Sequence, residues 1–112
     1  MICRMWRGWT KEENADAYDS YLKNELFPHL QQELAKHGYK GFHVLRLNRG
    51  TEVEFVTMVW FTSLQAVRSF AGENYEIPVI SEKAHALLSR YADRCDHYQL
   101  TGFHWPTSLS NG

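Results

Sequence analysis

An α+β fold, with helices on one face of a four-stranded antiparallel sheet, follows from three features of this 112-residue sequence. Strand-like and helix-like runs succeed one another as β-α-β-β-α-(α)-β. The stretch Val53-Glu-Phe-Val-Thr-Met-Val-Trp-Phe61 reads as a strand apolar on both sides, with Val53, Phe55, Val59 and Phe61 on one and Val56, Met58 and Trp60 on the other. Finally, Tyr18, Leu22, Leu26, Leu30 and Leu34 recur every four residues, as on one face of a helix.

The elements follow in order. Residues 2–9 predict a short strand carrying Ile2, Met5, Trp6 and Trp9. Thr10 and Glu13 have capping-box spacing, which starts the first helix there. Pro28 cannot donate to residue 24, so a kink is expected inside that helix, and His37-Gly38 supplies its stop. A second strand over about 41–48 places Phe42 and Val44 on one face and Leu45 and Leu47 on the other. Asn48-Arg49-Gly50-Thr51 turns it into the third as a hairpin. Thr62 or Ser63 caps a short helix, Leu64–Phe70, ended by Gly72, and Glu73–Ile80 is a loop containing Pro78. Ser81 caps a further helix on which Ala84, Leu87, Leu88 and Tyr91 share a face, and a last strand spans about 94–101. The predicted domain is 1–101, and the tail, 102–112, should be loose beyond Trp105.

This order is the split βαβ of ferredoxin-like folds. One sheet face is then bare, and leaving the second apolar set of Val53–Phe61 in water would expose a large patch. A homodimer with two-fold symmetry is the simplest cover.

Composition narrows the function. Twelve basic against thirteen acidic residues leave a formal charge of -1, so no basic face for nucleic acid or anionic membrane is expected. The βαββαβ order is shared with RNA-binding modules, but Val53–Phe61 lacks the basic, glycine and aromatic pattern that stacks bases. No apolar run reaches the ~20 residues of a membrane span, and Met1–Trp6 is not the start of a signal peptide, so a cytoplasmic location is expected. Cys3 and Cys95 are read as reduced and buried.

Six histidines (His29, His37, His43, His85, His97 and His104) contain no H-x-H or H-x-x-x-H pair, and no C-x-x-C joins them, so no metal site is expected. No Gly-rich phosphate loop or G-x-S-x-G is present. His85 stands one residue off the apolar stripe of the last helix, where it is either a boundary residue or reaches a cavity between helix and sheet. His43 and His97 lie on strands, with either face open to them. Trp6, Trp9, Trp60, Phe70 and Tyr75 are either core packing or the walls of a pocket for a flat ligand, with Trp6 and Trp60 converging and Tyr75 on a mobile lid.

The proline-containing helix, Gly38-Tyr-Lys-Gly-Phe-His-Val-Leu-Arg46, the strand Val56–Phe61 running into Ser63-Leu-Gln-Ala, and Phe70-Ala-Gly72 together resemble the antibiotic biosynthesis monooxygenase family. That family belongs to the dimeric α+β barrel superfamily, and the resemblance covers residues 2–100. It implies sheets packed face to face in a homodimer and a pocket between sheet and helices in each subunit. It also implies oxidation of a small aromatic or polycyclic substrate by O2 without metal or flavin. In that reading His85 or His97 accepts a proton and Tyr75 binds the substrate oxygen, while Trp6, Trp60 and Phe70 wall the ring. Haem-degrading relatives carry an Asn on the first strand, a Trp on the second helix and a His on the last. Here Glu82-Lys-Ala-His85 matches the histidine, Phe70 falls nearest the tryptophan, and Trp6-Arg7 offers no Asn. The resemblance therefore implies no cofactor, and a ligand- or haem-binding dimer without catalysis is the alternative.

Overall fold

The computed structural model describes residues 1–104. Five strands form one antiparallel sheet: β1 (Ile2–Lys11), β2 (Tyr39–Asn48), β3 (Glu52–Phe61), β4 (Leu88–Tyr91) and β5 (Asp96–Gln99). The order is β2-β3-β1-β4, and β5 also pairs with β1. β4 lies opposite Gly8–Thr10 and β5 opposite Ile2–Met5, so both occupy one edge of β1 in succession. The last strand, expected over about 94–101, is the short β5, whereas β4 lies where a helix was expected. The part of the tail expected to be loose beyond Trp105 lies outside the described residues.

The register sorts the side chains. On β3, Val53, Phe55, Thr57, Val59 and Phe61 are all buried on the inner face, where they meet Ala15, Tyr18, Leu22, Phe27 and Leu30 of the first helical stretch. Tyr18 meets Phe55 edge-on at 5.0 Å, and Phe27 stacks on Phe42 at 3.9 Å between ring centres. The outer face holds Met5, His43, Leu45, Leu47, Val56, Met58, Trp60 and Tyr98. Leu45, Leu47 and Tyr98 are 54%, 51% and 51% exposed there, so the inner set has a helical layer over it and the outer set has none among the described residues.

The first helical stretch departs from expectation at both its start and its middle. β1 runs through Thr10 to Lys11, and a 3-10 turn, Glu12–Asn14, precedes α1 (Ala15–Tyr21) with no side-chain cap. The capping box does not form because Thr10 is a sheet residue, paired with Val53 on one side and Leu88 on the other. Its hydroxyl is buried without a partner among the described residues. Pro28 is accommodated by a wide π-helical turn, Leu22–Leu26, just before α2 (Phe27–Leu34). There the Phe27 N–H reaches back five residues to the Leu22 carbonyl, which widens the helix immediately ahead of the proline.

The remaining joints follow the predicted chemistry. Gly38 closes the helical stretch at φ 97°. The Asn48 side chain accepts from the Gly50 N–H at 2.8 Å in the β2–β3 turn. Ser63 Oγ accepts from the Ala66 N–H at the start of α3 (Leu64–Ala71), and Ser81 Oγ from the Ala84 N–H at the start of α4 (Glu82–Leu87). α4 is shorter than its apolar stripe suggests. Leu88 turns to extended backbone and Leu88–Tyr91 pairs with β1, so Tyr91 is a strand residue and not part of a helix face. No helix among the described residues is long and apolar enough to cross a membrane.

Candidate functional site: a cavity walled by aromatics and one buried arginine

Inner-face residues of β1 recur at every second position: Ile2, Arg4, Trp6, Gly8 and Thr10. Gly8 packs closely under β4, since a Cβ there would stand 2.9 Å from a Leu88 methyl and would have to displace it. Between this row, the first helical stretch and the 72–81 loop lies a cavity of about 290 Å³, at the small end of ligand sites. Its walls include Trp6, Tyr21, Phe27, Phe70, Ile80 and Arg4. Trp6 is fixed by its indole N–H, which donates to the Ala92 carbonyl at 2.8 Å. Phe70 is held against Phe61 at 5.8 Å. At the rim the Tyr21 and Ser81 hydroxyls share a hydrogen bond of 2.6 Å. Burial, then the neighbouring Tyr21, pushes the Tyr18 phenol well above its ordinary pKa, so Tyr18 serves the wall as a neutral group.

Arg4 is 5% exposed. Its Nη1 donates to the Tyr75 carbonyl and lies 3.0 Å from His97 Nε2, and its Nη2 donates to the Ile77 carbonyl at 3.2 Å. Because guanidinium only donates, His97 must accept through Nε2 and carry its own proton on Nδ1. The guanidinium carbon also sits 5.5 Å from the Phe70 ring centre. His97 in turn meets the Tyr75 ring edge-on at 4.9 Å. Burial first, then the charge of Arg4, lowers the pKa of His97, with Glu76 and Asp96 opposing. The imidazole is therefore neutral at physiological pH.

Tyr75 and His97 line a second, more open hollow of about 540 Å³, shared with Glu76, Arg94 and Asp96. Arg4 and Cys95 stand where the two spaces meet: Cys95 lines both, while Arg4 lines the first and bonds residues of the second. The 72–81 loop that carries Tyr75 is tied down, since the Cys95 N–H donates to the Glu76 carbonyl and Arg94 pairs with the Glu76 carboxylate.

The six residues singled out from sequence thus divide. Trp6 and Phe70 share the apolar cavity, and Tyr75 and His97 share the adjoining hollow. Trp60 does not converge with Trp6: it lies on the outer face, where its indole N–H donates to His43 Nδ1 at 2.9 Å. His85 is exposed beside Tyr91, at 5.3 Å between rings, and lines neither space. Arg4 was missed. Its signal was the alternation itself, which sets a charged residue on the same face as Ile2 and Trp6.

Both cysteines are free and buried, and burial raises the pKa of each thiol. Cys3 is an outer-face residue in register with Trp60 and Tyr98, whereas Cys95 is on the cavity wall. Among the described residues no three His, Cys, Asp or Glu side chains gather as a metal-binding group.

No protein-family model matches the chain, and no curated protein does. Among solved structures it is similar to a Bacillus cereus protein described as a "putative antibiotic biosynthesis monooxygenase". The superposition has a TM-score of 0.64 at 15% sequence identity and covers 94% of this chain and 97% of that one. The fold that the sequence resemblance implied is thus the fold observed: the ferredoxin-like α+β architecture of that solved structure, over nearly the whole chain.

Proposed function

We propose that this chain is a monooxygenase-like protein that takes a small aromatic molecule into the cavity between sheet and helices and needs no cofactor. The observation that carries the reading is the cavity itself, mostly apolar, faced by Trp6 and Phe70, and bordered by the buried charge of Arg4. An electron-rich substrate of the anthrone or quinol type reacts with O2 once it has lost a proton. With an anthrone, one oxygen atom enters the ring as a carbonyl and the other leaves as water. The chain's work is to take the proton and hold the anion in a dry place. Neutral His97 is the proton acceptor in this proposal. Its Nε2 lone pair becomes free when a substrate oxygen takes over the Arg4 N–H that now occupies it. Tyr75 orients that imidazole by ring contact. The subunit pairs with a second copy through the uncovered outer face, which carries Leu45, Leu47 and Met58.

Oxygen uptake with anthrone- and quinol-type substrates is the test. Uptake by the wild type that falls about 100-fold in His97→Ala, the usual scale for losing a general base, supports the proposal. No uptake, or turnover undiminished in that variant, sinks it. A loss carried by His85→Ala would move the proton acceptor to α4. A second reading, binding without chemistry, is favoured by the fact that His97 Nε2 already has a partner in Arg4. It predicts saturable ligand binding with no oxygen consumed.

A further inference from the structure

We infer that Arg4 is the anion receptor of this cavity and that the ligand is an aromatic acid, a flat ring system bearing one ionised oxygen group. The inference rests on the reading of the cavity as a ligand site and adds the charge of what fills it. A guanidinium stays protonated in proteins, so this wall of the cavity carries a permanent positive charge. Buried charges are ordinarily matched by an opposite charge, because the loss of hydration is otherwise uncompensated. Arg4 has no such match. Its partners are the Tyr75 and Ile77 carbonyls and the neutral imidazole of His97, and no carboxylate pairs with it among the described residues. The other cationic side chains near this site are answered or exposed: Arg94 is paired with Glu76, and Arg68 lies at the surface over the Tyr75 ring.

Hydrogen-bond capacity points the same way. Guanidinium offers five N–H donors, and the bonds made here use Nη1 and Nη2 and leave Nε without a partner among the described residues. The Nε edge is one of the two sides on which a guanidinium receives a carboxylate through paired N–H donors. Since Arg4 borders the cavity alongside Trp6 and Phe70, a ligand ring resting on those aromatics brings an attached oxyanion within reach of the guanidinium. Charge complementarity therefore selects an acid over its neutral analogue, and an aromatic body over an aliphatic one.

The probes are 2-naphthoate and its neutral isostere 2-naphthamide, titrated separately into the full chain by calorimetry. The expected result is that the naphthoate binds about tenfold more tightly or better, the worth of one charge-assisted hydrogen bond. Arg4→Gln should bind the two alike, and Phe70→Ala should weaken both by similar factors. Equal affinities in the wild type, or a preference that survives in a folded Arg4→Gln, would overturn the inference while leaving the cavity as a ligand site. Failure of both probes to bind would overturn the cavity reading and the inference together. Because Arg4 also ties the 72–81 loop, Arg4→Gln is checked for folding by circular dichroism. If it does not fold, the wild-type comparison decides, supported by raising the salt: the naphthoate should weaken and the naphthamide should not.

Discussion

His97 holds its proton less readily than an ordinary imidazole, first because it is buried and then because Arg4 stands beside it. The groups facing it are Arg4, Tyr75, Glu76 and its neighbour Asp96, and the two carboxylates only partly offset the other effects. The folded state therefore binds fewer protons than the unfolded chain between the depressed value and the ordinary one of about 6.5. Folding stability should rise with pH across that window and level off above it. Urea midpoints at a series of pH values will show the slope, and His97→Gln should flatten it; an unchanged slope would mean that other groups set the acid sensitivity. Not all of this residue-level picture was legible beforehand. Trp6, Phe70, Tyr75 and His97 could be picked as unusual residues, because aromatic and titratable side chains announce themselves. Which face each one occupies depends on a register that pairing partners 50 and more residues away decide, so Trp60 was placed with Trp6 when it stands on the other side of the sheet. Arg4 escaped notice because an arginine in a strand is usually a surface residue.

At the level of elements, strong local signals survived and weak ones yielded to pairing. The two serine caps and the Asn48–Gly50 turn formed where expected because each is satisfied by atoms within three residues of it. Thr10 had equally good cap spacing, but its position is flanked by two strands that claim its backbone, and its β-branched side chain suits a sheet. The stripe on α4 was misleading past Leu87 for the same reason, with Leu88 and Tyr91 taken into the sheet. Gly38 gives the sharpest test of an element boundary. Its φ of 97° disfavours any side chain, and a Cβ would stand 2.6 Å from both Ala66 Cβ and Thr62 Oγ1. Gly38→Ala should cost about 2 kcal/mol or more, from left-handed strain together with overpacking. The check is a lowered urea midpoint with the denaturant slope unchanged; a loss below roughly 0.5 kcal/mol would mean the contact relaxes freely.

For the molecule as a whole, the sheet divides the chain into a covered side and an open side, and one strand supplies both. Phe55 lies among Tyr18 and Arg46 on the covered side, while Met58, in register with Met5 and His43, belongs to the open one. Phe55→Glu should therefore disrupt the subunit, at a cost on the scale of about 3–5 kcal/mol for losing a core aromatic. If the subunit pairs through the open face as proposed, Met58→Glu should leave a folded chain that sediments as a monomer at concentrations where the wild type sediments as a dimer; a wild type that sediments as a monomer would refute the pairing. A Met58→Glu protein that still pairs would place the dimer contact elsewhere. The same division distributes the tryptophans. Trp6 looks into the cavity, whereas Trp60, bonded to His43, and Trp9, under the Arg90 guanidinium at 4.0 Å, look outward. The chain thus carries an indole chromophore on each side. Emission changes lost in Trp6→Phe report events inside the cavity, those lost in Trp60→Phe report events on the outer face, and the two can be followed in one cuvette without a label.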